Sequence, residues 1–385
     1  MVMNSTANIK HNWSSYFYMN YLSLFGDTVS STKIKEITAQ AVEHKCGVSS
    51  RFDNRVEKLK SELVNNNQNR LFSKPKLRGL SVEQIKNYQS CYGRVIFAPF
   101  HFDEHRHILL DLIAHGLSSC APVAGKCFWD LYQLRNLLPT KSQNLIRLLE
   151  VEDVAVGKEL VKEMRKGSNG FIYCDGNMGS GGNRSKEGTS IVNFFNKRIR
   201  VKSGIARIAM LFKSPIIPVF STQDVYGNRV LTFEAAIFQD ADIANRELVQ
   251  QNIIQELYSR LERKVSESPD KWEYALCLHR WLEPENNSLN VKLENNIVAE
   301  NHVIEINKQR VAFISQNTDT LLVDTQQNKA YKAPAIMSSF FALLRQQTSL
   351  KIKELLNECP TEKRNNFMSI VQEMVQQDLL FIKSA

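Results

Sequence analysis

Arg94-Val-Ile-Phe-Ala-Pro-Phe100 runs directly into His101-Phe-Asp-Glu-His-Arg-His107, and this junction decides how the chain is read. The first seven residues are an apolar run of strand length, the pattern of a strand covered on both faces. The next seven interleave histidines with acids at what reads as a helix start, so an imidazole stands beside carboxylates at a strand end. Further along, Phe171-Ile-Tyr-Cys-Asp-Gly-Asn-Met-Gly-Ser-Gly-Gly182 repeats the theme, an apolar strand breaking into a glycine-rich loop.

Outward from this junction the pattern alternates. Helical periodicity is expected over Ile108 to His115, a strand near Ala121, a helix over Val156 to Arg165 and a strand over Gly170 to Cys174. A helix over Ile205 to Phe212, a strand over Ile216 to Ser221, an edge strand from Arg229 to Ile237 and a long amphipathic helix from Glu247 to Lys264 follow. Strands separated by helices imply an α/β domain whose mixed, mostly parallel sheet is flanked by helices. Residues 1 to 85 read as polar helices joined by Asn-rich turns, with no visible chemistry. Asn65-Asn-Asn-Gln-Asn69 is the clearest break there.

Glu283-Pro-Glu-Asn-Asn-Ser288 reads as a linker, beyond which the composition changes. Strand candidates at Gln309 to Phe313, Leu321 to Asp324 and Ala330 to Lys332 precede helices near Ala335 to Arg345, Leu350 to Asn357 and Thr361 to Gln377. Leu379 to Ile382 closes the chain as a strand. The expectation is a small winged-helix-like α+β domain, giving three parts: residues 1–85, 86–284 and 285–385.

The chain has 385 residues, 43% hydrophobic and 23% charged, ample for a sizeable core and two domains. Seven scattered cysteines without a C-x-x-C pair read as reduced thiols, with no case for a metal site or a disulfide framework. No window offers the roughly 18 apolar residues of a spanning helix. The expected location is cytoplasmic, with peripheral contact at the inner face of the membrane as the alternative. The aromatic stretch Tyr16 to Phe25 reads first as a packed helix and second as a segment lying on a bilayer.

Formal net charge is +9, and it is unevenly placed. From Asn286 onward eleven Lys/Arg face ten Asp/Glu, whereas Arg184, Lys186, Lys197, Arg198, Arg200 and Lys202 are opposed locally only by Glu187. Such a patch suits the phosphate of a carrier, coenzyme or lipid headgroup, and a solvated face is the plain alternative. The near-neutral tail argues against nucleic acid. No G-x-x-x-x-G-K-[ST] or G-x-G-x-x-G makes the glycine loop a nucleotide site, and no G-x-S-x-G marks a serine hydrolase.

Order and spacing supply what each piece lacks. Asp175-Gly-Asn177 with the glycines at 179, 181 and 182, Phe194-Phe195, Ser203-Gly-Ile-Ala-Arg207, Pro215 to Phe220, and Pro269-Asp-Lys-Trp272 through His279-Arg-Trp281 resemble the lipid A biosynthesis acyltransferases of the lysophospholipid acyltransferase superfamily. The resemblance covers residues 85 to 282. It implies a glycerolipid acyltransferase-like sheet and a fatty acyl group carried as a thioester on acyl carrier protein or coenzyme A. That group moves to a hydroxyl or amine, with no permanently bound cofactor.

His101 is then the general base, since acyl transfer needs a base, a partner to orient it and donors for the oxyanion. In the family the orienting carboxylate lies five positions later, where this chain has Arg106. Glu104 is the first replacement, Asp103 the second, and a shifted pair of His105 with Asp111 the third. Lys126, Arg135, Asp175, Arg184, Lys186 and Arg207 are the expected contacts to substrate and phosphate. Cys174, in a strand, reads as core.

The tail resembles the small peptide-binding protein of pyrroloquinoline quinone biosynthesis and related leader-peptide recognition elements, on Leu321-Leu-Val-Asp324, Lys329-Ala-Tyr331 and Asp378-Leu-Leu380. That implies recognition of an extended peptide at a strand edge. A precursor peptide is therefore the expected acceptor. The alternatives are a peripheral enzyme acting on lipid A or a lysophospholipid, and a non-catalytic lipid- or peptide-binding protein.

Overall fold

The structure, a computed structural model, describes residues 6–26, 28–64, 74–123, 125–138, 140–150, 155–175, 188–239, 245–283, 298–307, 310–316, 319–324, 329–332, 338–346 and 349–383. Its helices are α1 (Thr6–Phe25), α2 (Ser31–Val64), α3 (Val82–Tyr92), α4 (Ile108–Ala114), α5 (Gly125–Leu137), α6 (Thr140–Gln143), α7 (Val156–Arg165), α8 (Gly204–Phe212), α9 (Arg246–Glu267), α10 (Ser338–Gln346), α11 (Ile352–Glu358) and α12 (Arg364–Gln376). The chain divides into two units. One comprises Lys35–Gly179 with Asn183–Ala275, the other mainly Met1–Ile34 with Leu276–Ala385.

The first unit is built on a seven-stranded sheet of β1 (Lys76–Gly79), β2 (Ile96–Asp103), β3 (Ser119–Val123), β4 (Ile146–Glu150), β5 (Gly170–Phe171), β8 (Ile216–Gln223) and β9 (Arg229–Phe233). A separate hairpin contains β6 (Thr189–Phe194) and β7 (Lys197–Lys202). Sheet order is β1-β9-β8-β2-β5-β3-β4, parallel throughout except for the antiparallel β8–β9 pair. The mostly parallel mixed sheet therefore stands as expected. Its outer strands are β1 and β4, and β9, expected at the edge, lies one place inward of β1.

Local chemistry sets the entry to β2. Ser81 and Gln84 close a reciprocal capping box at the start of α3. Gly93 ends the helix in a left-handed conformation, φ 76°, that an L side chain rarely adopts. β2 then runs covered from Ile96 to Phe100, and Phe52, Val56 and Leu59 of α2 join Phe97, Ile108, Leu112, Ile217 and Phe233 in one core.

The second unit holds β10 (Val303–Ile306), β11 (Val311–Gln316), β12 (Asp319–Asp324), β13 (Lys329–Lys332), β14 (Ser349–Lys351) and β15 (Leu380–Lys383). They form two antiparallel three-stranded sheets, β14-β10-β15 and β11-β12-β13. Phe340, Phe341, Leu344, Phe367 and Val371 from α10 and α12 close over Ile304, Val311 and Leu322. Arg310 donates from Nε and Nη2 to the two oxygens of the buried Asp324, at 3.0 and 2.7 Å, holding the start of β11 to the end of β12.

The N-terminal region does not stay together as one part. α1 packs against β11, and its stacked Phe17 and Tyr21 are buried, so the aromatic stretch is a packed helix. From Lys35 onward α2 belongs to the large unit. Among the described residues, no helix is long and apolar enough to cross a membrane.

Candidate active site

β2 does not end at Phe100 as expected but continues through His101 to Asp103. Its register with β8 shifts between Pro99 and Asp103, and Asp103 takes φ 49°. A bulge re-aims side chains at a strand end. Here the His101 backbone N–H and ring both face a residue four positions beyond β5. That residue is Asp175, and the site lies at the carboxyl ends of parallel strands, where such sheets build their ligand crevices.

Among the described residues three groups converge on Asp175, which is fully buried. His101 Nδ1 lies 2.8 Å from Oδ1, the His101 backbone N–H approaches both oxygens at 3.1 Å, and Trp272 Nε1 donates to Oδ2 at 3.1 Å. A carboxylate only accepts, so the bonded Nδ1 carries the proton and the neutral ring presents a lone pair at Nε2. No described group hydrogen-bonds Nε2, and the His101 side chain keeps 19% of its surface exposed.

Aromatic packing fixes the ring. His101 lies against Tyr173 at 4.2 Å between centroids, meets Tyr274 edge-on at 4.6 Å and faces His105 at 4.9 Å. The Tyr173 hydroxyl donates to the His105 carbonyl. Trp272 is held by Phe194, 5.2 Å away, and by backbone pairing with Phe102.

The carboxylates expected to orient His101 are committed elsewhere. Glu104 Oε1 accepts from Arg51 Nε at 2.7 Å, with Arg51 Nη2 at 2.6 Å, and His107 Nε2 stands 3.0 Å from Oε2. Burial raises the Glu104 pKa, but His107 and Arg51 outweigh it and bring it down to about 2. Asp103 turns away on its positive φ. Its Oδ2 accepts from the Gln223 N–H at 3.3 Å, and His44 and Lys271 each lie 3.6 Å from Oδ1. Burial pushes Asp103 up to about 6.

The shifted pair does not form either. Asp111 pairs with Arg55 at 2.7 Å and lies 3.5 Å from Arg229, while His105 Nδ1 donates to the Asp103 carbonyl. His105 Nε2 lies 3.6 Å from Glu273, and burial keeps His105 well below the ordinary histidine range. Arg51, Arg55 and His44 all come from α2, in a region where the sequence showed no chemistry.

The expected phosphate contacts divide. Asp175 is fully buried and bonded to His101. Arg135 donates from Nε to the Ile146 carbonyl at 2.9 Å and ties α5 to the edge strand β4. Lys126 lies on α5, with its side chain outside the described set. Arg184 and Lys186 fall outside the described residues, whereas Arg207 lines a cleft of about 410 Å³ beside the β6–β7 hairpin. Cys174 is buried, its thiol pushed well up by burial, which suits core and not a nucleophile.

Residues 141–283, a little over a third of the chain, match the family model described as bacterial lipid A biosynthesis acyltransferase. The matched segment contains Asp175, Arg207 and Trp272 and begins beyond His101. No curated protein matches the chain. The match assigns acyltransferase chemistry to this enzyme.

Proposed function

We propose that the enzyme moves a fatty acyl group from a thioester, on acyl carrier protein or coenzyme A, to a hydroxyl or amine, with His101 as general base. The observation that carries this is the 2.8 Å contact between His101 Nδ1 and the buried Asp175, which leaves Nε2 unbonded by any described group and aimed away from its anchor. Nε2 takes the proton of the acceptor as its oxygen or nitrogen attacks the thioester carbonyl. The tetrahedral intermediate collapses with cleavage of the C–S bond, and the imidazolium returns the proton to the departing thiolate. Asp175 stabilises the imidazolium between the two transfers.

A peptide is the acceptor class favoured here over a membrane lipid. It is supported by the antiparallel sheet of the second unit, where β13 is an outer strand among the described residues and so offers main-chain groups for an added strand. Co-expression of wild type or His101→Ala with the genomic neighbours, followed by mass spectrometry, tests both parts. A fatty-acyl increment on a short peptide, seen only with wild type, is the expected result. An increment in the lipid extract instead moves the acceptor to a lipid. No increment in either, together with no thioester consumption by purified protein, leaves a binding protein.

A further inference from the structure

We propose that Glu273 is a second acid of the His101 centre, a positioning residue that acts beside His105 and, held by Lys45, favours the imidazolium formed when His101 takes the acceptor's proton. This deepens the general-base reading and rests on it. Glu273 was not among the residues that the sequence singled out.

The segment that carries it already serves the site. Trp272 donates to Asp175, Tyr274 meets the His101 ring edge-on, and Glu273 lies between them in sequence. Its two oxygens have different neighbours. Lys45 of α2 donates to Oε1, while Oε2 stands 3.6 Å from His105 Nε2. His105 Nδ1 carries the ring proton, because it donates to the Asp103 carbonyl, so the Nε2 of a neutral His105 is an acceptor like Oε2. Two acceptors this close, with no proton shared between them, make the space around them favour positive charge. The His101 ring packs against His105 with 4.9 Å between centroids, near enough for Glu273 to feel its charge, and the imidazolium is the charge that turnover brings there.

Electrostatics order these groups. Burial works against a charge on Glu273, but the neighbouring histidines and Lys45 outweigh it and hold the carboxyl well below the usual carboxylate range. Burial keeps His105 neutral. The ion pair is therefore an oriented dipole, with one carboxylate oxygen toward His105 and Lys45 on the other. The remaining charged or titratable groups around the two rings are Asp175 and Tyr173 beyond β5, Tyr274, and Arg106 in the turn that carries His105. A fixed negative end costs little beside a neutral base and stabilises that base once it is charged, which is the difference catalysis uses. Asp175 supplies this by direct contact, and Glu273 supplies a smaller share from beside the second ring.

Histidine-selective isotope labelling of the intact protein, with the His101 signal assigned by its loss in His101→Ala, follows protonation of His101 by NMR without turnover. Glu273→Gln is expected to move the His101 midpoint down by about one pH unit and Lys45→Met to move it up, because one removes the negative end and the other unmasks it. Glu273→Asp is expected to fall between wild type and Glu273→Gln. The acid limb of kcat/KM for acyl transfer moves in the same directions, with a loss of about tenfold for Glu273→Gln on the plateau. Should either single variant fail to fold, Lys45→Met/Glu273→Gln, which strands neither charge of the pair, is expected to keep a smaller downward shift. Midpoints that stay at the wild-type value, or that move the same way in Glu273→Gln and Lys45→Met, overturn the proposal. Thioester turnover that persists alongside such midpoints leaves the general-base reading standing. Opposite shifts in a protein that consumes no thioester uphold the coupling and remove the general-base reading alone.

Discussion

His101 meets Asp175 at 2.8 Å, and His107 stands 3.0 Å from Glu104 in the same unit, yet the two pairs do different work. In the second pair both side chains are buried and both face an arginine. Arg51 takes the other oxygen of Glu104, Arg55 lies 3.0 Å from His107 Nδ1, and the His107 and Glu104 side chains are 3% and 1% exposed. In the first pair the carboxylate is saturated but the histidine is not. The difference teaches that residue type and spacing do not make a catalytic dyad. A buried, fully bonded acid must hold a base whose other nitrogen remains available.

The sharpest way to break the comparison is to exchange the pairs' fates. Asp175→Asn keeps the shape but takes the charge from beneath His101 and offers its Nδ1–H a weaker acceptor. It is expected to lower kcat/KM for thioester-dependent transfer about 10³-fold, roughly 4 kcal/mol of barrier, with secondary structure unchanged. A loss under about tenfold would mean that Asp175 is structural.

Glu104→Gln should do the reverse. Glu104 titrates near 2 in the fold against an ordinary 4.5, so its stabilising contribution is complete above about pH 4.5 and is lost as pH falls toward 2. Denaturant unfolding at pH 7 should show a loss of about 3 kcal/mol, and the gap to wild type should close between pH 4.5 and 2. Turnover per folded molecule should change by less than about threefold. A collapse of kcat in the fully folded variant would move Glu104 into the mechanism after all.

These two acids also mark how far the sequence could be read. The sheet, the order of its helices and the position of His101 follow from hydrophobic period and strand ends, because those patterns are local. The partner of His101 does not. Asp175 lies 74 positions away and was read as a phosphate contact. Only the bulge in β2 and the parallel β2–β5 pairing bring it under the imidazole. Glu104 was misplaced for the complementary reason, since its partner Arg51 sits on α2 in a stretch that read as polar and uninformative.

A trace was present there. Phe52, Val56 and Leu59 recur at helical spacing, and Arg51 and Arg55 lie one turn apart beside that stripe. Basic residues flanking a core-facing stripe of a long helix mark where buried acids of the next layer find their charge. β10 and β14 were missed because runs of four and three residues have too little period to detect, and they exist through pairing, β10 lying between β14 and β15.

The smallest effect tests whether the saturation of Asp175 matters. Trp272 is fully buried between Phe194 and the Phe102 backbone, and among the described residues its indole N–H is the one donor to Asp175 that does not come from His101. Without it, Oδ2 keeps, among the described residues, the shared backbone N–H of His101, and the carboxylate gains freedom to rotate off the imidazole. Trp272→Phe preserves an aromatic body and removes that donor, so transfer is expected to slow about tenfold, near 1.4 kcal/mol. A packing defect alone could slow it as much, and the double variant separates the two. If the indole acts through Asp175, adding Trp272→Phe to Asp175→Asn costs nothing further, because the group it steadies no longer steers His101. Fully additive losses would instead make Trp272 a wall of the site and leave His101 alone to hold Asp175 in place.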